Sequence, residues 1–168
     1  RKNKNRNLKV SIPKGVEEGT RIRLSGEGES GIRNGTPGDL YVFLTIKNHK
    51  FFTRKNEDLN CTVPIPMIQA ALGGYIEVPT IDGFPVKVSL PKGTQNGKIL
   101  RLKDKGMPIM HRLSRGALYV KINVETPINL SQKQKEILEQ FNNASPSRGN
   151  NPSSSSFLGK LKDFLAGT

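Results

Sequence analysis

The sequence predicts a mainly β protein: two tandem small β-sandwich-like domains followed by a short C-terminal α-helical segment. Three observations carry this. A shift of 78 residues lays Val10 to Ile46 on Val88 to Val124 without a gap, with thirteen identities in thirty-seven positions. Within each copy, apolar residues alternate with polar ones at the period of a strand. After Val124 the apolar spacing changes to that of amphipathic helices.

In the first copy Leu8, Val10 and Ile12 alternate as a half-buried strand, which Pro13-Lys14-Gly15 ends. Ile22 and Leu24 continue the alternation after a turn at Gly19. A glycine-rich loop runs from Gly26 to Gly38. Leu40, Val42, Leu44 and Ile46 then line one face of a strand while Tyr41 and Phe43 line the other, so that strand is expected to be covered on both faces. The second copy repeats the order with Val86, Val88 and Leu90, then Leu100 and Leu102, then Leu118, Val120, Ile122 and Val124. Two units separated by unlike sequence indicate a duplicated domain and not a solenoid.

Between the copies, Met67 to Leu72 is a short helix stopped by Gly73-Gly74. Ile76 and Val78, Asp82-Gly83, and Val86 to Leu90 read as a hairpin. Ser131 can cap a helix whose stripe is Ile137, Leu138 and Phe141, ended by Asn142-Asn143. Residues 145–156 are rich in Ser, Pro, Asn and Gly and read as a flexible linker. Phe157, Leu158, Leu161, Phe164 and Leu165 form a second, shorter stripe. The expected divisions are 1–52 (a truncated first β-domain), 53–128 (the second), 129–144 (helix), 145–156 (linker) and 157–168 (short amphipathic helix). Each stripe either folds back on its own domain or packs on a second copy of the chain.

The chain has 168 residues, 34% of them hydrophobic and 6% aromatic, with no tryptophan. Its longest apolar runs fall far short of the roughly 20 residues a membrane helix needs. Arg1 to Arg6 is basic with no apolar run behind it, unlike a secretory leader. The sequence opens on arginine and is expected to be a piece of a longer protein. A net charge of +13 raises an acidic partner or nucleic acid as a class. The charges are dispersed among the strands, however, and aromatics are not interleaved with them as a base-stacking platform requires. A solvated basic surface is the better reading, with a nucleic-acid-binding β-protein as the alternative.

Catalytic chemistry finds little support. His49 and His111 fall in loops with no acid paired to them in sequence. Cys61 lies in a strand-like run, where a buried, inert thiol is expected. One cysteine excludes an internal disulfide, and its presence fits a reducing, cytoplasmic setting. The glycines at 26, 28, 31, 35 and 38 lack the strand–loop–helix context and the Gly-Lys-Ser/Thr ending of a phosphate loop. The Leu8/Val10 and Val42/Leu44 rows read first as core. Part of them can instead line a groove beside an open strand edge, where an extended peptide would add as a further strand.

Several blocks together resemble one family. They are Val10 to Leu24 (VSIPKGVEEGTRIRL), Pro37-Gly38-Asp39-Leu40, His49-x-x-Phe52-x-Arg54-x-x-x-Asp58-Leu59, Pro79-Thr80-Ile81-Asp82-Gly83 and Lys105-Gly106-Met107-Pro108. In order and spacing they resemble the C-terminal substrate-binding region of the DnaJ-type J-domain co-chaperones, bacterial and zinc-finger-bearing, over about Leu8 to Phe141. Phe157 to Leu165 is similar to the tail of bacterial members. The resemblance implies two tandem β-domains, a C-terminal dimerisation helix and a V-shaped homodimer. It implies capture of unfolded polypeptide clients in the first domain and their delivery to a DnaK-type chaperone, with no enzyme activity and no membrane. The matching client-binding positions are Leu8 and Val42, flanked by Val10 and Leu44. Dimerisation falls to Ile137, Leu138, Phe141, Phe157, Leu161 and Phe164. Family members often carry an aromatic where Val42 stands, and Gly116-Ala117-Leu118 departs from the family's Gly-Asp-Leu. No His-Pro-Asp and no Cys-x-x-Cys-x-Gly-x-Gly occurs in this sequence. Zinc is therefore expected only in a module outside it, and no cofactor is expected in this chain.

Overall fold

The computed structural model describes residues 5, 7–31, 35–145 and 149–166. Eight strands and three helices follow in chain order: β1 (Arg21–Leu24), β2 (Leu40–Phe43), β3 (Thr53–Lys55), β4 (Asp58–Pro66), α1 (Met67–Leu72), β5 (Gly74–Val78), β6 (Val86–Leu90), β7 (Ile99–Leu102), β8 (Leu118–Glu125), α2 (Gln132–Ala144) and α3 (Pro152–Leu165). Residues 1–126 form one compact unit and residues 127–168 another.

The first unit is built on a four-stranded sheet in the order β3-β4-β8-β7. β4 and β8 run parallel at its centre, with Cys61 beside Val120 and Val63 beside Ile122, and the outer pairs are antiparallel. A second layer comes from the β5–β6 pair. Period-two alternation sends Leu59, Cys61 and Ile65 from β4 and Leu118, Val120 and Ile122 from β8 into one cluster with Ile76, Val78 and Leu90. Leu118, Val120, Ile122 and Val78 are wholly buried. α1 adds Ala70 to the cluster and ends where Gly73, at φ 73°, donates its N–H to the Gln69 carbonyl. Asp82-Gly83 forms the turn within the longer β5–β6 connection, where the Gly83 amide donates to the Thr80 carbonyl.

The duplication holds down to the register. The shift of 78 carries β1 onto β7 and the start of β2 onto that of β8. Ile22 faces Val42 as Leu100 faces Val120, and Leu24 faces Leu40 as Leu102 faces Leu118. The loop behind each pair closes alike, Gly28 donating to Gly38 and Gly106 to Gly116, both at 2.8 Å.

Two expectations for the first repeat fail. Leu8, Val10 and Ile12 form no strand. Their counterpart β6 is held by β5, whereas Leu8 to Ile12 pairs with no strand among the described residues. Alternation alone does not make a strand; a neighbour must accept its hydrogen bonds. The β2 strand is also not covered on both faces. Leu40 and Val42 are half-buried, but Tyr41 and Phe43 are 53% and 67% exposed.

The repeats do not stand apart. Arg54 of β3 reaches the first repeat, its guanidinium donating to the carbonyls of Val16 at 2.6 Å and Gly15 at 3.0 Å. Gly15 lies so close to the Pro108 carbonyl that a β-carbon there would collide with it. Phe52, the last residue of the expected first domain, is buried in the core cluster, one position ahead of β3.

In the second unit, Ser131 caps α2 through a capping box with Gln134. The helix runs to Ala144, past the expected stop at Asn142-Asn143. α3 starts at Pro152, five residues ahead of Phe157, so the expected linker is shorter. Proline in the first turn has no helical hydrogen bond to lose, and the serines behind it continue the helix. Ile137, Phe141, Phe157 and Phe164 are 53–79% exposed, and neither helix buries a residue.

Candidate functional site

The first repeat differs from the second in what surrounds the same strand. β8 has neighbours on both sides, β7 and β4, whereas among the described residues β2 pairs with β1 alone. The Leu44 N–H donates to the Thr20 carbonyl, as the Ile122 N–H does to the Lys98 carbonyl. By antiparallel alternation the even positions of β2 then bond β1, and the N–H and C=O groups of Tyr41 and Phe43 face the free edge. Tyr119 and Lys121, their counterparts, face β4.

The side chains follow the same division. Val120 and Ile122 are 0% exposed. Val42 and Leu44, at equivalent positions, stay half-buried, and Leu44 continues the Val42 face one position beyond β2. On the opposite face of β2, the Phe43 ring takes the guanidinium of its β1 partner Arg21 at 5.9 Å. Of the other two expected residues, Leu8 is 37% exposed and Val10 half-buried, both on the segment that forms no strand. The structure thus groups Val42 with Leu44, and places Leu8 and Val10 on a separate stretch of chain.

The adjoining loop is pinned at its root. Asp39 accepts from the Gly26 N–H at 3.1 Å and from Arg23 at 2.6–2.7 Å. The Gly26 hydrogen bond lowers the Asp39 carboxyl below its usual value, burial opposes it, and the hydrogen bond and charge of Arg23 lower it further. A group with a lowered folded-state pKa contributes above its unfolded value and loses that contribution as pH falls through the folded value. Acidification below the ordinary carboxylate range should therefore release the Gly26 amide. An amide-exchange titration should show Gly26 protection falling in acid, and Asp39→Asn should remove that dependence.

Sequence reading missed the junction between the repeats. A cleft of about 930 Å³ lies there, lined among others by Ile46, His49, Phe52, Arg54, Ile81 and Met107. The motif that contains His49, Phe52 and Arg54 was the available signal, although nothing in it says that Arg54 spans the repeats. Among the described residues the His49 Nδ1 accepts from the Phe51 amide, and Cys61 is buried, with desolvation pushing its thiol pKa up. No cluster of metal-ligating side chains occurs among the described residues.

Comparison with known proteins places this architecture. The family profile described as "DnaJ C terminal domain" matches residues 1–127. The chain belongs to the DnaJ C-terminal domain family. A second profile, "Chaperone protein DnaJ C-terminal region", matches residues 133–167, which include most of α2 and α3. The chain is 54% identical over 162 residues to proteins named "Chaperone protein DnaJ" from Brucella anthropi and Brucella canis. The matches cover 96% of this chain and 43% of each relative. The chain thus spans under half the length of those DnaJ relatives and corresponds to a DnaJ C-terminal fragment. No helix among the described residues is long and apolar enough to cross a membrane.

Proposed function

We propose that this chain is the client-binding and dimerisation part of a cytoplasmic co-chaperone: it captures unfolded polypeptide in its first repeat, pairs with a second copy, and presents clients to a DnaK-type chaperone. It binds and does not catalyse. The observation that carries this reading is the contrast between repeats. One register and one strand occur twice, sealed at Val120 and Ile122 and left half-open at Val42 and Leu44 beside an edge that no described residue pairs. An extended segment can bond such an edge through its backbone, whatever its sequence, and lodge alternate apolar side chains on the row beside it. Leu8 and Val10 are proposed to border that row. Ile137, Leu138, Phe141, Phe157, Leu161 and Phe164 are proposed to meet their copies in a partner chain. Two capture sites on one dimer raise avidity for clients long enough to span them.

The test is a denatured reporter protein against duplex DNA, each titrated with the chain across a salt series. Client capture should persist in moderate salt because burial of apolar surface drives it. Affinity confined to DNA and falling steeply with salt would replace this reading with the nucleic-acid one.

A further inference from the structure

Among the described residues the four-stranded sheet is packed on one face only. On the other face two cross-strand rows lie side by side: Arg101, Tyr119, Asn60 and Thr53 in one, and Ile99, Lys121 and Thr62 in the next. Neither row holds a carboxylate. Phe51 and Lys50 stand beside them, and Lys50, Phe51, Ile99, Tyr119 and Lys121 share a concavity of about 380 Å³. Ile99 and Phe51 are 58% and 60% exposed. Lys50, Arg101 and Lys121 make no ion pair among the described residues, unlike Arg23, Arg54 and Arg115.

From this we infer a second binding site, in the second repeat, for an acidic peptide in extended conformation. β7 ends the sheet. The Ile122 N–H donates to the Lys98 carbonyl, so the backbone groups of Ile99 and Arg101 point away from β8 to the open edge. Their side chains share the outer face, two residues apart. A strand added along β7 sets its own same-face side chains at the matching spacing of about 7 Å. An apolar residue then meets Ile99, and the carboxylate two positions on meets Arg101. Lys121 and Lys50 supply further positive charge beside Ile99 and Phe51. A nucleic acid fits less well, because base stacking needs open ring faces. Lys50 sits over the Phe51 ring at 5.5 Å, and Tyr119 is half-buried.

The site is separate from the capture row of the first repeat, so the two can be told apart. The probe is a fluorescein-labelled peptide of three Val-Ser-Glu-Ser repeats, in which Val and Glu alternate along one face of the strand, read by anisotropy with the full chain. It should bind, while the same peptide with Lys for Glu should not. Charge reversal by Arg101→Glu with Lys121→Glu should weaken binding by about tenfold or more, the worth of a few exposed ion pairs. The milder Arg101→Gln with Lys121→Gln, at exposed positions, should weaken it in the same direction with the unfolding midpoint kept. Lys133→Glu, on α2, should leave it unchanged. Equal binding of the Glu and Lys peptides, no loss in the folded Gln pair, or displacement of the peptide by single-stranded DNA at equal charge would each overturn the inference.

Discussion

Leu118→Ala is expected to destabilise the chain by about 2–5 kcal/mol, and Leu40→Ala by well under half of that. The two leucines occupy the same register of the same duplicated strand pair. Leu118 is 0% exposed within the cluster that joins the two layers, so its truncation removes buried surface and leaves a cavity that close-packed neighbours fill only in part. Leu40 is half-buried on a two-stranded ribbon and has less to lose. A β-carbon on the neighbouring Gly116 would collide with the Glu57 carbonyl, so Gly116→Ala should also destabilise, by about 1–3 kcal/mol. Urea unfolding with each variant checks this. Equal losses at Leu40 and Leu118 would mean that the first repeat is as well sealed as the second, contrary to the contrast on which the proposed function stands.

Removal of residues 131–168 is expected to turn a dimer into a monomer. The helices α2 and α3 carry Ile137, Phe141, Phe157 and Phe164 at 53–79% exposure. An exposed apolar stripe on each helix is an interaction surface more often than a tolerated one. Light scattering should give the intact chain twice its 18.5 kDa mass and the shortened chain its single mass. Capture of long clients should weaken with it, because two linked sites become one. An intact chain of single mass, or a shortened chain that still pairs, would move the dimer contact away from these helices.

The features legible in the sequence were those that local chemistry fixes. Glycines and the Pro-Lys-Gly turn kept the two copies in register, and alternation showed which side of each strand meets a core. The capping residue Ser131 marked the start of α2 because its hydroxyl satisfies an amide that the helix leaves open. Features that depend on a distant neighbour were not legible. Alternation at Leu8 to Ile12 was correct in pattern yet gave no strand, since pattern carries no information about which segment bonds the edge. The parallel pairing of β4 with β8 joins residues 59 apart and has no local signature. Tyr41 and Phe43 read as covered because they are apolar, and they are exposed because they lie on the strand face opposite Leu40 and Val42, the face on which their counterparts Tyr119 and Lys121 also lie outside the core. Arg54 was visible within a motif, but its role as a strap across the repeats appeared only once the Gly15 and Val16 carbonyls were seen to converge on it.

The central claim is that one copy of a duplicated strand is left open to extended chains while the other is closed. Amide hydrogen exchange with and without a bound denatured client examines it residue by residue. The open copy should gain protection at the Tyr41 and Phe43 amides, and Tyr119 and Lys121 should keep the protection they already have. Client-bound protein in which Tyr41 and Phe43 exchange as freely as before, with new protection appearing only elsewhere, would contradict the account.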